Sequence, residues 1–247
     1  MILCLDCGNT RIKWGLREGS DWCARGAFAT TATLTTATVA ELAAHLPADR
    51  MAAVTRVLGV NVAGPAVAAA IERGLGRSVQ WLQASPHCCG VTNHYEQPAQ
   101  LGADRWAALI GAWHLQQDAC LVLSAGTATT IDVLDAGGGF QGGLILPGLD
   151  LMRSALARNT AQLPPQPGHY RMLPRNTQDA ISSGALHATL GAIGRMYAHL
   201  AQMTAGPVPA CLLSGGAAEA LAPHLELPLR RVDNLALEGL AHLALAS

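Results

Sequence analysis

The stretch MILCLDCGNTRIKWGL, residues 1–16, decides how the rest of the chain is read. Leu3, Cys4 and Leu5 form a short apolar run of buried-strand character, and residues 14–16 resume one after a polar, glycine-containing reversal. The spacing predicts a hairpin with Asp6 at the end of its first strand, Gly8 free to take φ > 0, Asn9 and Thr10 offering hydrogen-bonding groups, and Lys13 supplying a charge. Such a turn can receive a phosphate through backbone N–H groups. It can equally be a plain hairpin in which Asp6 and Asn9 cap the backbone in an Asx-turn.

At 247 residues, half of them apolar, the chain can bury a proper core as one large domain or two small ones without disulfides. Its 16 Lys and Arg nearly cancel its 17 Asp and Glu, with no basic stripe and no aromatic cluster of the RNA-binding kind. That argues against a nucleic-acid surface and for small-molecule partners. No basic segment followed by an apolar one precedes Asp6, and no apolar run reaches spanning length, so a cytoplasmic location and no membrane partner are expected. Seven cysteines is an odd number, and Cys4, Cys7, Cys120 and Cys211 sit in or beside strand-like apolar runs, where they read as reduced core residues. Cys4 and Cys7 are formally a CxxC, but residues three apart on a strand point to opposite faces. His87, Cys88, Cys89 and His94 lack a second well-spaced ligand pair, so this segment is expected to be a loop, and no metal ligands are assigned.

Further along, strand character at 22–28 is followed by a short helix at 39–46, a strand at 51–58, a helix at 65–75 and a strand at 78–82. A polar loop at 86–99 then leads into an amphipathic helix at about 101–117, with Trp106, Leu109, Ile110 and Trp113 at helical spacing. The second half opens as the first did, with an apolar strand at 120–125, a turn at 126–129 and a strand at 130–134. LDCGNT at 5–10 has a short echo in LSAGTAT at 123–129, as a duplicated fold would produce. The expected domains are 1–117 and 118–247, an α/β arrangement with a cleft between two like halves. A strand at 140–146, a helix at 149–157 and a Pro-rich loop at 164–174 precede Thr177, a plausible N-cap for a long apolar helix at 178–203 whose extent suggests cover by a second subunit. A strand at 209–213 then meets Gly215 and Gly216, where either a ligand approaches the backbone or the chain simply packs closely. A strand at 229–232 and a helix from Leu235 end the chain.

Four segments coincide in order and spacing: DCGNTRIK at 6–13, GADR at 102–105, GTATTID at 126–132 with FQGGLILPG at 140–148, and LLSGG at 212–216. Together they resemble the type III pantothenate kinases over essentially the whole chain. The resemblance implies two ribonuclease-H-like domains of the actin-like ATPase kind around a nucleotide cleft, a homodimer, and ATP- and Mg²⁺-dependent phosphorylation of pantothenate. It implies that Asp6 holds hydrated Mg²⁺, that Gly8, Asn9, Thr10 and Lys13 meet the phosphates with Gly126 and Thr127, and that Gly215 and Gly216 let the nucleotide lie close. By the same resemblance Asp104 is the general base and Arg105 grips a substrate carboxylate within the motif of Gly102 and Ala103, while Tyr95 and Thr177 line the substrate pocket. On the residues alone, Asp104 is also favoured at a helix start by the dipole, whereas Arg105 in a first turn is disfavoured and calls for a partner.

One position departs from the pattern. Ser124 stands where the family carries an aspartate that takes part in binding an activating monovalent cation, so a neutral oxygen replaces a charge and dependence on potassium or ammonium is expected to weaken. Asp132, well along the next strand, is the carboxylate expected to compensate. The alternatives are a kinase of the same fold acting on another small acid, and a non-catalytic relative that binds nucleotide or ligand in an accessory or regulatory role.

Overall fold

The computed structural model describes residues 1–30, 48–159, 168–206 and 209–246. The expected helix at 39–46 and the first part of the Pro-rich loop lie outside these residues. The chain divides into two compact units, Met1–Leu115 with Asn234–Ser247, and Gln116–Asp233.

In the first unit β1 (Ile2–Cys7), β2 (Arg11–Glu18) and β3 (Asp21–Ala29) form an antiparallel meander. β4 (Arg56–Asn61) and β5 (Gln80–Trp81) add parallel strands on the other side of β1, giving the order β3-β2-β1-β4-β5. β1 is central and buried on both faces, which is why it reads as a continuous apolar run. Its alternation still matters. Leu3, Leu5 and Cys7 enter one core cluster with Ile12, Trp14, Val57 and Ile71, while Cys4 enters a second with Leu58, Val60, Ala103, Ala107, Leu237 and Leu240. The CxxC cysteines do face opposite ways, and burial pushes the thiols of Cys4, Cys7, Cys120 and Cys211 up to about 12.

The helices of this unit are α1 (Ala48–Ala52), α2 (Pro65–Leu75), α3 (Ala103–Gln116) and, at the far end of the sequence, the terminal helix Leu235–Ala246. The strand expected at 51–58 therefore starts later, at Arg56, and its first residues end α1. A short apolar run fits a helix end as well as a strand start, and the parallel register Ile2↔Arg56 to Cys7↔Asn61 decides between them. The loop expected at 86–99 contains a small hairpin, β6 (His87–Cys88) and β7 (Val91–Asn93).

In the second unit β8 (Cys120–Ala125), β9 (Ala128–Leu134), β10 (Gly139–Pro147), β11 (Ala210–Ser214) and β12 (Leu229–Arg231) repeat the first pattern. Their order is β10-β9-β8-β11-β12, with the first three antiparallel and the last two parallel. The sequence echo is thus a repeat of topology. Helices α4 (Leu149–Asn159), α5 (Thr177–Met203) and α6 (Ala218–Leu221) belong to this unit, and the terminal helix, Leu235–Ala246, becomes α7. The core includes Leu121, Leu123, Ile131 and Leu213 from the sheet with Leu186, Ile193 and Leu200 from α5. Leu186, Ile193 and Leu200 of the long helix are thus buried in the core of this unit, with Leu190 and Tyr197 partly buried beside them.

The sequence reading put 118–247 in one domain, yet α7 packs in the first unit. Glu238 shows why. Its carboxylate takes Trp22 Nε1 at 2.8 Å, Arg17 at 3.1 Å and Arg25 at 3.2 Å, so three side chains of the β2–β3 hairpin converge on one residue of α7. The helix also lies close against α3, because Gly111 and Gly239 face each other's backbones. A Cβ on Gly239 would collide with Ala107 O, and one on Gly111 with Leu235 O. Gly239→Ala is accordingly expected to lower stability by about 1–3 kcal/mol or more through overpacking against rigid backbone, read as a drop in the urea midpoint at unchanged slope.

Candidate functional site

Period-two alternation places Asp6 on the same face of β1 as Cys4, the face that α3 and α7 cover. Asp6 is only 8% exposed and stands directly across the ladder from Lys13. Its Oδ2 accepts from Lys13 Nζ at 3.2 Å and from Asn234 Nδ2 at 3.0 Å. Asn234 is held for this task by α7, since its Oδ1 caps the helix by accepting from Leu237 N at 2.9 Å. Asp6 Oδ1 takes no protein donor among the described residues, so one carboxylate oxygen is pinned and the other is open to a hydrated cation.

The adjoining turn is closed by Gly8 N donating to Arg11 O at 3.1 Å, and Thr30 Oγ1 donates to Gly8 O at 2.7 Å. Gly8 is not among the glycines at positive φ, contrary to expectation. Space is the reason for glycine here, because a Cβ would lie 3.1 Å from Arg11 O. Asn9 and Thr10 are exposed at the tip.

The start of α3 brings the second group. Gly102 O accepts from Trp106 N at 2.9 Å, and a Cβ on Gly102 would stand 2.7 Å from Asp104 Oδ1, so glycine leaves room for that carboxylate. Ala103, the first helical residue, is buried. Asp104 Oδ1 accepts from Arg105 N at 2.8 Å. Burial raises the Asp104 carboxyl above the usual carboxylate range. The Arg105 N–H opposes that rise, and the nearby Asp6 charge adds to it. Arg105 is 5% exposed and donates through Nη1 to Tyr95 Oη at 2.9 Å. Its guanidinium carbon lies over the Tyr95 ring, 5.6 Å from the centroid. Tyr95 is itself fixed, because its N–H donates to Asn93 Oδ1 at 3.1 Å while Asn93 Nδ2 donates to Pro98 O at 3.1 Å.

The first unit thus gathers Asp6, Lys13, Tyr95, Asp104 and Arg105. Asn234 and Asn93 are the contributors that sequence reasoning missed. Asn234 stands just before an apolar helical run and was legible as a cap, but nothing local points to a carboxylate 228 positions away.

In the second unit Gly126 N donates to Ala128 O, and Gly148 N to Thr127 O at 2.8 Å, closing the turn after β8. Gly215 has φ 102° and lies where a Cβ would collide with Ala125 O, so it adjoins the same strand end. Gly215 and Gly216 line a cavity of about 230 Å³ together with Glu219, Arg231 and Asp233. Ser124 stands across the ladder from Thr130 on one side and Ser214 on the other. Thr130 Oγ1 is buried without a hydrogen-bond partner, so this rung presents neutral hydroxyls where the pattern calls for a carboxylate. Asp132 is 1% exposed and sits two residues further on, opposite Val122 and Gly143. Thr177 is the first residue of α5 and exposed, while the N-cap is Asn176, whose side chain accepts from Asp179 N at 2.9 Å.

The family model for type III pantothenate kinase matches residues 2–199. A protein of that name from Aromatoleum aromaticum is 54% identical over 247 residues, covering 99% of this chain and 98% of its own. A solved structure named as a Baf-family transcriptional activator from Campylobacter jejuni matches with a TM-score of 0.62 at 17% identity, over 99% of this chain and 98% of that one. Another, named as a 2-dehydro-3-deoxygalactonokinase from Sinorhizobium meliloti, matches with a TM-score of 0.55 at 18% identity, over 100% and 99% of the two chains. At these identities the two structures show the fold alone, that of the actin-like ATPases and sugar kinases.

The raised Asp104 carboxyl has a consequence for stability. The folded state keeps this proton to a higher pH than the unfolded chain does, so stability falls as pH rises from the ordinary carboxyl range through the folded value. Above that value the cost is complete. Asp104→Asn removes it and keeps an oxygen for Arg105 N, so the variant is expected to melt above the native protein at pH 7. The gap should narrow as pH falls into the ordinary carboxyl range, and a variant less stable than native across the whole series would contradict the assignment.

Proposed function

The chain belongs to the type III pantothenate kinases, and from that membership we propose that it transfers the γ-phosphoryl group of ATP to the primary hydroxyl of pantothenate. The products are 4′-phosphopantothenate and ADP, the first step of coenzyme A biosynthesis. The observation that carries the reading is the pairing at the start of α3, a carboxyl raised by burial beside a buried arginine.

Phosphoryl transfer asks the protein mainly for positioning and charge compensation. Asp104, its proton affinity raised by burial, accepts the hydroxyl proton as the hydroxyl oxygen bonds to the γ-phosphorus and the bond to ADP breaks. Arg105, steadied by Tyr95, meets the pantothenate carboxylate, and its planar fork suits a bidentate grip. Gly102 and Ala103 belong to the same turn, and Thr177 is assigned to the substrate by the family resemblance.

Mg²⁺, when bound with ATP, supplies neutralisation of the phosphate charge. The open Oδ1 of Asp6 fits a hydrated ion, with Oδ2 pinned by Lys13 and Asn234. Lys13 and the backbone of Gly8, Asn9 and Thr10 are assigned to the phosphates, as are Gly126 and Thr127. The nucleotide reading of Gly215 and Gly216 is supported by the cavity they line.

The rung of Ser124, Thr130 and Ser214 offers neutral oxygens for a monovalent cation, so potassium or ammonium would be held weakly. The same rung is the one feature that favours the second reading, a nucleotide-binding relative without catalytic duty. A homodimer is part of the proposal. It is supported in this chain by the exposed Leu144 and Ile145 of β10 and Leu151 and Leu156 of α4, an apolar surface that a second copy would cover. No helix among the described residues is long and apolar enough to cross a membrane, which accords with work in the cytoplasm.

With Mg²⁺ and ATP, addition of pantothenate is expected to release ADP in a coupled assay, and Asp104→Asn to slow it by about 10²–10⁴-fold. Pantothenate-independent ADP release alone, at any monovalent salt, would sink the kinase reading. Rates in sodium, potassium and ammonium salts are expected to differ little for the native chain and to separate for Ser124→Asp, which restores a charged ligand.

A further inference from the structure

Outside the site already described, the hairpin of β6 and β7 carries a feature that the proposed function leaves unused. Its ladder pairs Cys88 with Val91 and His87 with Thr92, leaving Cys89 and Gly90 as a two-residue turn. Both central residues have positive φ, 49° at Cys89 and 80° at Gly90, the requirement of a type I′ hairpin. That turn prefers Asn-Gly or Asp-Gly, and a cysteine in the left-handed region is strained relative to either. The strain is held in place from behind, since a Cβ on Gly90 would stand 2.8 Å from Trp113 Nε1 of α3. Strain of this kind, retained where a better residue is available, points to a use for the side chain.

The side chain's neighbour indicates the use. Cys88 and Cys89 Sγ lie 3.6 Å apart, and both residues are half-buried, within reach of solvent. A disulfide holds its sulfurs at about 2.05 Å, so oxidation to a bridge would need a large displacement in a turn that Trp113 backs. Two thiolates on one soft centre, each at about 2.3 Å with a near-tetrahedral angle, stand about 3.8 Å apart, close to the spacing observed. Burial and the hydrogen bond to Cys88 also push the Cys89 thiol up to about 11, which disfavours a free thiolate that attacks peroxides and suits a neutral dithiol that condenses. His87 takes no part, its Nδ1 lying 3.1 Å from Thr92 Oγ1. Among the described residues no group of three or more His, Cys, Asp or Glu side chains is placed to hold a metal ion, so the grip is one of two sulfurs.

We propose that Cys88 and Cys89 form a vicinal dithiol site that captures a soft, thiophilic centre of the trivalent arsenical class. With an organic arsenoxide, two As–S bonds form while the As–O double bond and two S–H bonds break. Oxygen leaves with both protons as water, and arsenic stays trivalent. The hairpin that would carry the adduct ends at Asn93, the residue that fixes Tyr95.

The test is native mass spectrometry of the full chain with phenylarsine oxide at one equivalent. The expected result is one adduct with loss of one water, removed by 2,3-dimercaptopropanol and not by a matching concentration of a monothiol. Cys88→Ser and Cys89→Asn should each lose the adduct and Cys23→Ser should keep it, with Cys89→Asn also melting above the native protein because the turn gains its preferred residue. No adduct on the native chain, or an undiminished one on Cys88→Ser, overturns the proposal. The mass readout is independent of whether the chain phosphorylates pantothenate.

Discussion

A carboxylate kept at the end of a central strand, against a second carboxylate at a helix start, is the constraint on which the rest depends. Asp6 lies in a run that is buried on both faces, where a charge is costly unless hydrogen-bonded and paired. The fold meets that cost from two directions, with Lys13 across the hairpin and Asn234 from the cap of α7. Both donors go to the same oxygen. Asp104 is then left close enough to feel the Asp6 charge and buried enough to resist losing its own proton. A site arranged this way costs stability at neutral pH in return for a carboxyl that can accept a proton when one is offered.

Two helix starts do the positioning. α3 and α7 each present a polar side chain at the N-terminal end, Asp104 in one and Asn234 in the other, where dipole and open N–H groups favour an oxygen. Their close approach rests on Gly111 and Gly239, which remove the side chains that would hold the backbones apart. The grip of Arg17, Trp22 and Arg25 on Glu238 then fixes α7 to the β2–β3 hairpin. Breaking a partly buried charge cluster of this kind is costly, since any one partner removed leaves the others desolvated.

The two units repeat one strand order and differ in chemistry at a matching place. The fifth residue of β1 is Asp6, opposite Lys13 and Val60, and the fifth residue of β8 is Ser124, opposite Thr130 and Ser214. One rung is charged and the other is a row of hydroxyls. The same backbone geometry thus carries a carboxylate paired with Lys13 in one unit and neutral hydroxyls at the matching place in the other.

Much of this was legible in the sequence because it is local. The apolar run before Asp6, the reversal to Lys13, the adjacency of Asp104 and Arg105, and the echo at Ser124 are contained in windows of a few residues, where periodicity and turn chemistry act directly. Local signals also misled where two readings share the same letters. Thr177 looked like a cap that Asn176 provides, residues 51–55 looked like strand, and the cysteine-bearing segment concealed a hairpin whose turn uses Cys89 in place of asparagine. The return of α7 to the first unit, and with it the hydrogen bond from Asn234 to Asp6, was decided only by tertiary structure. Contacts between residues 228 positions apart depend on how whole faces are buried, and no short stretch of chain records which face that will be.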